Sequence, residues 1–155
     1  MLPKAKEIMS SPAISVKLDD TLKDVIKLFA EHKISGVPVI NNDEELVGII
    51  TERDLVHFSS KTHIIPLLST SGWISPHTEV DRIATSRKGS QLLSRTKVKS
   101  EMSRQVYTVT EDAPGEEIAL IMKKRNVDRV PVVDSENHLK GIVTRTDIVV
   151  QLAGQ

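Results

Sequence analysis

Hydrophobic and polar positions recur with a helical period in two stretches of the chain. In DDTLKDVIKLFAEHKI (19–34) the apolar side chains fall on one helical face, opposite Lys and Glu: Leu22, Val25, Ile26, Phe29 and Ala30. This spacing predicts an amphipathic helix, which Asp20 or Thr21 would cap. DAPGEEIALIMKKRNV (112–127) predicts a second such helix, with Pro114 in its first turn.

Shorter apolar runs next to these helices predict strands. AISVK (13–17) and QVYTVT (105–110) alternate like half-buried strands, whereas GVPVIN (36–41) and RVPVVD (129–134) resemble fully buried ones. Polar turns then lead into LVGII and LKGIV, which completes two hairpins. A proline removes a ladder donor, so Pro38 and Pro131 predict that each V-P-V strand is irregular or lies at a sheet edge.

The whole pattern occurs twice, with an offset of 93 residues. Residues 4–56 align with 97–149 without a gap, and 15 of these 53 positions are identical. A unit of about 50 residues buries little core alone, so we expect the two copies to pack together about an approximate two-fold axis. The repeat predicts domains at 1–58 and 97–155. The insert between them, 59–96, is mildly basic, and we interpret it as a solvated, partly helical connector.

The amino-acid composition argues against several classes of protein and of site. Lys plus Arg and Asp plus Glu each number 21, and this zero net charge argues against a general nucleic-acid binder. The absence of cysteine excludes disulfides, thiolate metal sites and a cysteine nucleophile, and the five histidines lack metal-ligand spacing. No apolar run is long enough for a signal peptide or a membrane span, so we expect a cytoplasmic protein with no membrane partner.

The motifs GIITERD (48–54) and GIVTRTD (141–147) have two interpretations. Thr-x-x-Asp before an apolar run is close to a capping box, in which Thr and Asp satisfy the first backbone groups of a helix. The same groups at a helix N-terminus can also bind a ligand, because free N–H groups attract anions and a carboxylate can accept ribose hydroxyls.

With both V-P-V strands and both motifs in one register, the chain resembles a tandem CBS (cystathionine-beta-synthase-type) domain pair, or Bateman module. The resemblance covers MSSPAISV…GVPVIN…LVGIITERDL and MSRQVYTV…RVPVVD…LKGIVTRTDI. It implies an α/β (α+β) fold of two pseudo-symmetric β-α-β-β-α repeats packed through their sheets. It also implies two clefts of the kind that bind AMP, ADP, ATP or S-adenosylmethionine, and a homodimer.

The resemblance also implies roles for particular residues. Ribose and phosphate contacts fall on the motif Thr and Asp residues, and three arginines are further phosphate candidates: Thr51, Asp54, Thr144, Asp147, Arg53, Arg129 and Arg145. Apolar residues would sandwich the base, Ile14, Val16, Val37 and Pro38 in one cleft and Tyr107, Val109, Val130 and Pro131 in the other. Gly36 in the first copy corresponds to Arg129 in the second, so we expect clefts of unequal affinity.

The leading hypothesis is a regulatory sensor with no obligatory cofactor. An adenine nucleotide or related adenosyl ligand would favour one arrangement of the repeats, and an effector protein would read it. The alternative is a ligand-free structural or dimerisation module, in which Asp54 and Asp147 are only caps. An enzyme is the third possibility, and the sequence shows no nucleophile–base pair, metal cluster or phosphate-binding Gly-rich loop beside the motifs.

Overall fold

The computed structural model describes residues 1–62 and 87–154. The first copy and the segment after it contain α1 (Ala5–Ile8), β1 (Val16–Lys17), α2 (Leu22–His32), β2 (Gly36–Ile40), β3 (Leu46–Thr51), α3 (Glu52–Thr62) and α4 (Arg87–Arg95). The second copy contains α5 (Val98–Glu101), β4 (Val109–Thr110), α6 (Gly115–Arg125), β5 (Arg129–Val133), β6 (Leu139–Thr144) and α7 (Arg145–Ala153). The strands form two three-stranded sheets, β1-β2-β3 and β4-β5-β6, so the predicted mixed fold with two repeats is confirmed.

The chain forms two compact units that do not follow the sequence repeats. One unit combines residues 1–15 and 40–47 with the described residues from 105 onwards, and the other combines 16–39 with the described residues of 48–104. In the first unit Ser10 bridges to Ile142, and in the second Ser103 bridges to Ile49. The first residues of each repeat, which include Ser10 and Ser103, therefore lie on the sheet of the other repeat.

Helix α2 begins and ends for identifiable local reasons. Thr21 forms a capping box, in which its hydroxyl accepts from the Asp24 N–H at 3.2 Å and the Asp24 carboxylate accepts from the Thr21 N–H at 2.9 Å. Leu22, Val25 and Phe29 are buried as predicted. Ala30 is exposed, so its assignment to the buried face was wrong; it lies at the border of the apolar stripe.

The strands differ from the sequence prediction in two ways. Strands β1 and β4 contain two residues each, fewer than the predicted five and six. The proline-containing strands β2 and β5 are central in their sheets, so the edge alternative was wrong, whereas the irregular alternative is confirmed for β5, whose register with β6 shifts between Val132 and Val133. In the second sheet Val109 pairs with Val132, and the parallel ladder begins after Pro131. The missing N–H of that proline therefore costs no bond to β4.

Both units have mainly aliphatic cores, and the unit that holds the first sheet also buries Phe29 and Phe58. In the unit that holds the second sheet, the core joins the N-terminal segment to that sheet and its helices: Leu2, Ala5, Ile8, Val109, Ala113, Ile118, Met122, Val130, Val132, Val143 and Ile148. In the other unit, α4 packs on α2, and Leu93 of α4 is only 1% exposed. This end of the insert thus contributes a residue to a core, while its polar residues remain exposed: Lys88, Gln91, Ser94 and Arg95. The predictions that concern residues 63–86 lie outside the described residues.

None of the helices in the described parts of the chain has the length and apolar character needed to cross a membrane.

Candidate functional site

The second GIVTRTD motif joins β6 to α7. The Thr144 hydroxyl accepts from the Asp147 N–H at 3.3 Å, and Asp147 Oδ2 accepts from the Thr144 N–H at 2.8 Å. The predicted capping box is therefore present. Cap formation occupies one carboxylate oxygen, and Asp147 Oδ1 has no hydrogen-bond partner among the residues that the structure describes.

The first GIITERD motif joins β3 to α3 in the same way, but the carboxylate of Asp54 has a different environment from that of Asp147. Asp54 Oδ2 accepts from the Thr51 N–H at 2.9 Å and from the Thr51 hydroxyl at 3.3 Å, and Oδ1 accepts from the Ser103 hydroxyl at 3.2 Å. Burial raises the pKa of Asp54, and the bonds from Thr51 and Ser103 offset only part of that shift. Both oxygens of Asp54 are therefore engaged, unlike those of Asp147.

Ser103 is a site residue that the sequence argument missed. It pairs with the edge of β3 through two backbone bonds to Ile49, of 2.8 and 2.9 Å, which place its side chain beside Asp54. Met102 packs against Gly48, where an added Cβ would come within 2.7 Å of the Met102 sulfur. The available signal was the Met-Ser pair repeated at 9–10 and 102–103, together with the glycine repeated in both motifs.

Arg129 lies next to the second motif. It is the register partner of Thr144, so it starts β5 where β6 ends. Its Nε donates to Asp128 Oδ1 at 3.0 Å, and its side chain is only 10% exposed. Burial raises the pKa of Asp128, but the interactions with Arg129 outweigh it and leave the pKa below its ordinary value. The Arg145 N–H donates to the Asp128 carbonyl at 2.8 Å, which ties α7 to the same corner.

The remaining predicted site residues divide into exposed and buried groups. Arg53 and Arg145 are exposed, Ile14 is 36% exposed, and Tyr107 is half-buried. The other residues predicted to contact a base are buried in this structure: Val16, Val37, Pro38, Val109, Val130 and Pro131. Ile14 and Tyr107 are thus the members of that set with surface available to a ligand.

A groove of about 300 Å³ separates α6 from α7. Its lining combines apolar residues with polar ones: Ala119, Met122, Ile148 and Val149, and Lys123, Asn126 and Arg145. Across residues 1–62 and 87–154, no three His, Asp or Glu side chains are grouped so as to hold a metal ion.

The CBS domain family model matches residues 5–61 and 98–154, which together make up most of the chain. The chain belongs to the CBS domain family. The two matches coincide with the two copies of the repeat, so this is a tandem CBS pair. An uncharacterized protein of Methanocaldococcus jannaschii, MJ1426, is 38% identical over 93% of this chain and 88% of its own length.

Two further comparisons show the contexts in which related pairs occur. The inosine-5'-monophosphate dehydrogenase of Methanocaldococcus jannaschii is 33% identical over 94% of this chain, but the match spans only 23% of the enzyme. The CBS domain pair of protein MJ0100, solved in complex with 5'-methylthioadenosine and S-adenosyl-L-methionine, is 26% identical. It aligns over 99% of this chain and 98% of its own, with a TM-score of 0.70.

Proposed function

We propose that this tandem CBS chain is a regulatory module that binds an adenine nucleotide or related adenosyl ligand beside Thr144 and Asp147. The observation that carries this proposal is Asp147 Oδ1 at the N-terminus of α7, which has no hydrogen-bond partner in the described part of the chain and lies next to the β5 end that holds Arg129. A carboxylate with a free oxygen can accept a ribose hydroxyl, and a helix N-terminus favours an anion.

The arginines suit the charged part of a nucleotide. Arg145 is exposed in the first turn of α7, so its guanidinium has room to contact a phosphate. Arg129, the register partner of Thr144, is a second cation at this corner, and its guanidinium is already paired with Asp128. The relative MJ0100 supports the adenosyl class, because its CBS pair was solved with two adenosyl compounds.

The two motifs should form sites of unequal affinity for the ligand. In the first copy a ligand must displace the Ser103 hydroxyl from Asp54, and Gly36 stands where the second copy has Arg129. We therefore place the stronger site at Asp147.

The proposal includes a homodimer, an effector protein and no catalytic activity of this chain's own. Four of the six large hydrophobic residues exposed in the described part of the chain lie on α6 and α7: Leu120, Val149, Val150 and Leu152. A second copy would cover this apolar surface, since contiguous exposed apolar patches mark interaction sites. Ligand binding would shift the population of arrangements that an effector recognises. The proposed compartment is the cytoplasm, where adenine nucleotides are available.

Calorimetric titration with AMP, ATP, S-adenosylmethionine and 5'-methylthioadenosine tests the ligand proposal. We expect the wild type to bind at least one of these compounds and Asp147→Asn to lose about tenfold or more in affinity, because a charge-assisted bond is removed. Asp54→Asn serves as the matched control and should change the stronger binding step by less than threefold.

A thermal melt of each variant separates ligand contact from helix capping. Loss of a cap costs about 1 kcal/mol of stability. If the wild type binds none of the four compounds and both variants are merely less stable, the chain is a ligand-free structural or dimerisation module. Turnover of a bound nucleotide in the same samples would instead indicate an enzyme.

A further inference from the structure

An arginine covers the only tyrosine of the chain. The Cζ atom of Arg125 lies 4.8 Å from the centroid of the Tyr107 ring, a distance typical of a cation–π contact. Tyr107 precedes β4 by two residues, and β4 pairs with β5, the strand that begins at Arg129. Arg125 is the last residue of α6 and is exposed, so its side chain can move without disturbing the core.

The contact distinguishes the two copies of the repeat. At the corresponding positions the first copy has Ile14 and His32, so a ring covered by a guanidinium occurs in the second copy alone. The helix dipole accounts for positive charge at the end of α6, where Lys123 and Lys124 precede Arg125. It does not account for the position of the Arg125 guanidinium over an aromatic ring.

We infer that Arg125 is a specificity residue that selects anionic adenosine ligands over uncharged ones; this inference rests on the proposed function. A purine base that stacks on the covered face of Tyr107 must displace the Arg125 guanidinium. When the ligand is uncharged, it offers the displaced guanidinium no new partner to replace the contact with the Tyr107 ring. A nucleotide offers a phosphate to which the guanidinium can donate paired hydrogen bonds.

The cation–π contact with Tyr107 and the hydrogen bonds to a phosphate predict opposite effects of removing Arg125. An exposed cation–π contact is worth about a two- to fivefold change in affinity, which an uncharged ligand regains when Arg125 is absent. A hydrogen bond to a charged group is worth about tenfold or more, which a phosphate-bearing ligand loses. Arg125→Ala should therefore weaken AMP binding and strengthen adenosine binding.

The test is calorimetric titration of the full chain with AMP and with adenosine, which share base and ribose and differ by the phosphate. We expect Arg125→Ala to bind AMP about tenfold more weakly and adenosine about two- to fivefold more tightly than the wild type. Lys124→Ala removes an equal charge from the neighbouring position and should change the ratio of the two affinities by less than about twofold.

Two tyrosine variants test the ring itself, with thermal melts to confirm that each variant folds. Tyr107→Phe keeps the ring face and should bind like the wild type, whereas Tyr107→Ile, the residue of the first copy, should weaken both ligands. If the wild type binds AMP and Arg125→Ala leaves the AMP-to-adenosine ratio unchanged, the inference is wrong and the proposed function stands. If the wild type binds neither compound, the inference is overturned, and the proposed function is then decided by the titrations with ATP, S-adenosylmethionine and 5'-methylthioadenosine.

Discussion

At the scale of single residues, the two motifs contain equivalent aspartates whose side chains lie in different environments. Asp54 and Asp147 each satisfy the first turn of a helix. Asp54 also accepts a bond from Ser103 and is buried enough for its pKa to rise, whereas Asp147 keeps one oxygen without a described partner. Identical residues in a repeat thus acquire different ligand-binding capacity from their neighbours.

The raised pKa of Asp54 predicts a specific pH dependence of stability. The folded state holds the Asp54 proton more tightly than the unfolded chain, so this group lowers the free energy of unfolding as pH rises from 3.8 through the raised pKa. Asp54→Asn removes this titration. The difference in unfolding free energy, wild type minus variant, should therefore decrease as pH rises through that window in urea denaturation series.

Asp128 provides the opposite case as a control. Its pKa is lowered in the folded state, so its stabilising contribution is present above 3.8 and lost as pH falls through the lowered pKa. For Asp128→Asn, the unfolding free energy of the wild type minus that of the variant should therefore increase as pH rises. This increase should occur at pH values below 3.8. If the two variants show the same pH trend, the assigned carboxylate environments are wrong.

At the scale of elements, the repeat extends to backbone conformation at positions where the residues differ. Lys33 and Asn126 end α2 and α6 in the left-handed conformation, with φ of 53° in both cases. Glu44 and Asn137 take the same conformation in the two hairpin turns. Asparagine tolerates this conformation well, but lysine and glutamate do not, so the first copy carries more local strain.

Relief of that strain should stabilise the protein. Lys33→Gly removes the Cβ that disfavours the left-handed conformation and should raise the free energy of unfolding by about 0.5–1 kcal/mol, measured by urea denaturation. Asn126→Gly is the matched control and should give a smaller gain. A loss of stability in Lys33→Gly would contradict the helix end described for α2.

Replacement of Gly48 should instead destabilise the protein, because this glycine lies in β3 where the segment around Ser103 packs against the strand. A Cβ at Gly48 would come within 2.9 Å of the Ser103 carbonyl oxygen, a backbone atom that cannot move aside cheaply. Gly48→Ala should therefore lower the free energy of unfolding by about 1–3 kcal/mol. Gly154→Ala, whose Cβ would meet nothing closer than 3.6 Å, should leave it nearly unchanged.

At the scale of the whole molecule, the exposed apolar residues of α6 and α7 predict self-association. Leu120→Lys combined with Val149→Lys places two charges on this surface, where Leu120 and Val149 are 49% and 55% exposed. We expect sedimentation velocity to show a dimer for the wild type and a monomer of unchanged stability for the double variant.

Lys124→Ser, an exposed change on the same helix, should leave the dimer intact. A monomeric wild type, or a double variant that stays dimeric, would remove this surface from consideration as the interface.

The sequence by itself determined the repeat, the two amphipathic helices, the hairpins and the capping box of the second motif. The repeat follows from identities at a fixed offset of 93 residues, and the other features follow from local periodicity and from side chains three or four residues apart. It did not determine which strand is central, where each short strand ends, or that each compact unit contains the first residues of the other repeat. These depend on pairing between distant residues, such as Ser103 with Ile49. Only the tertiary structure decided that both carboxylate oxygens of Asp54 are engaged whereas Asp147 keeps one without a described partner, because the extra bond to Asp54 comes from a hydroxyl 49 residues away in sequence.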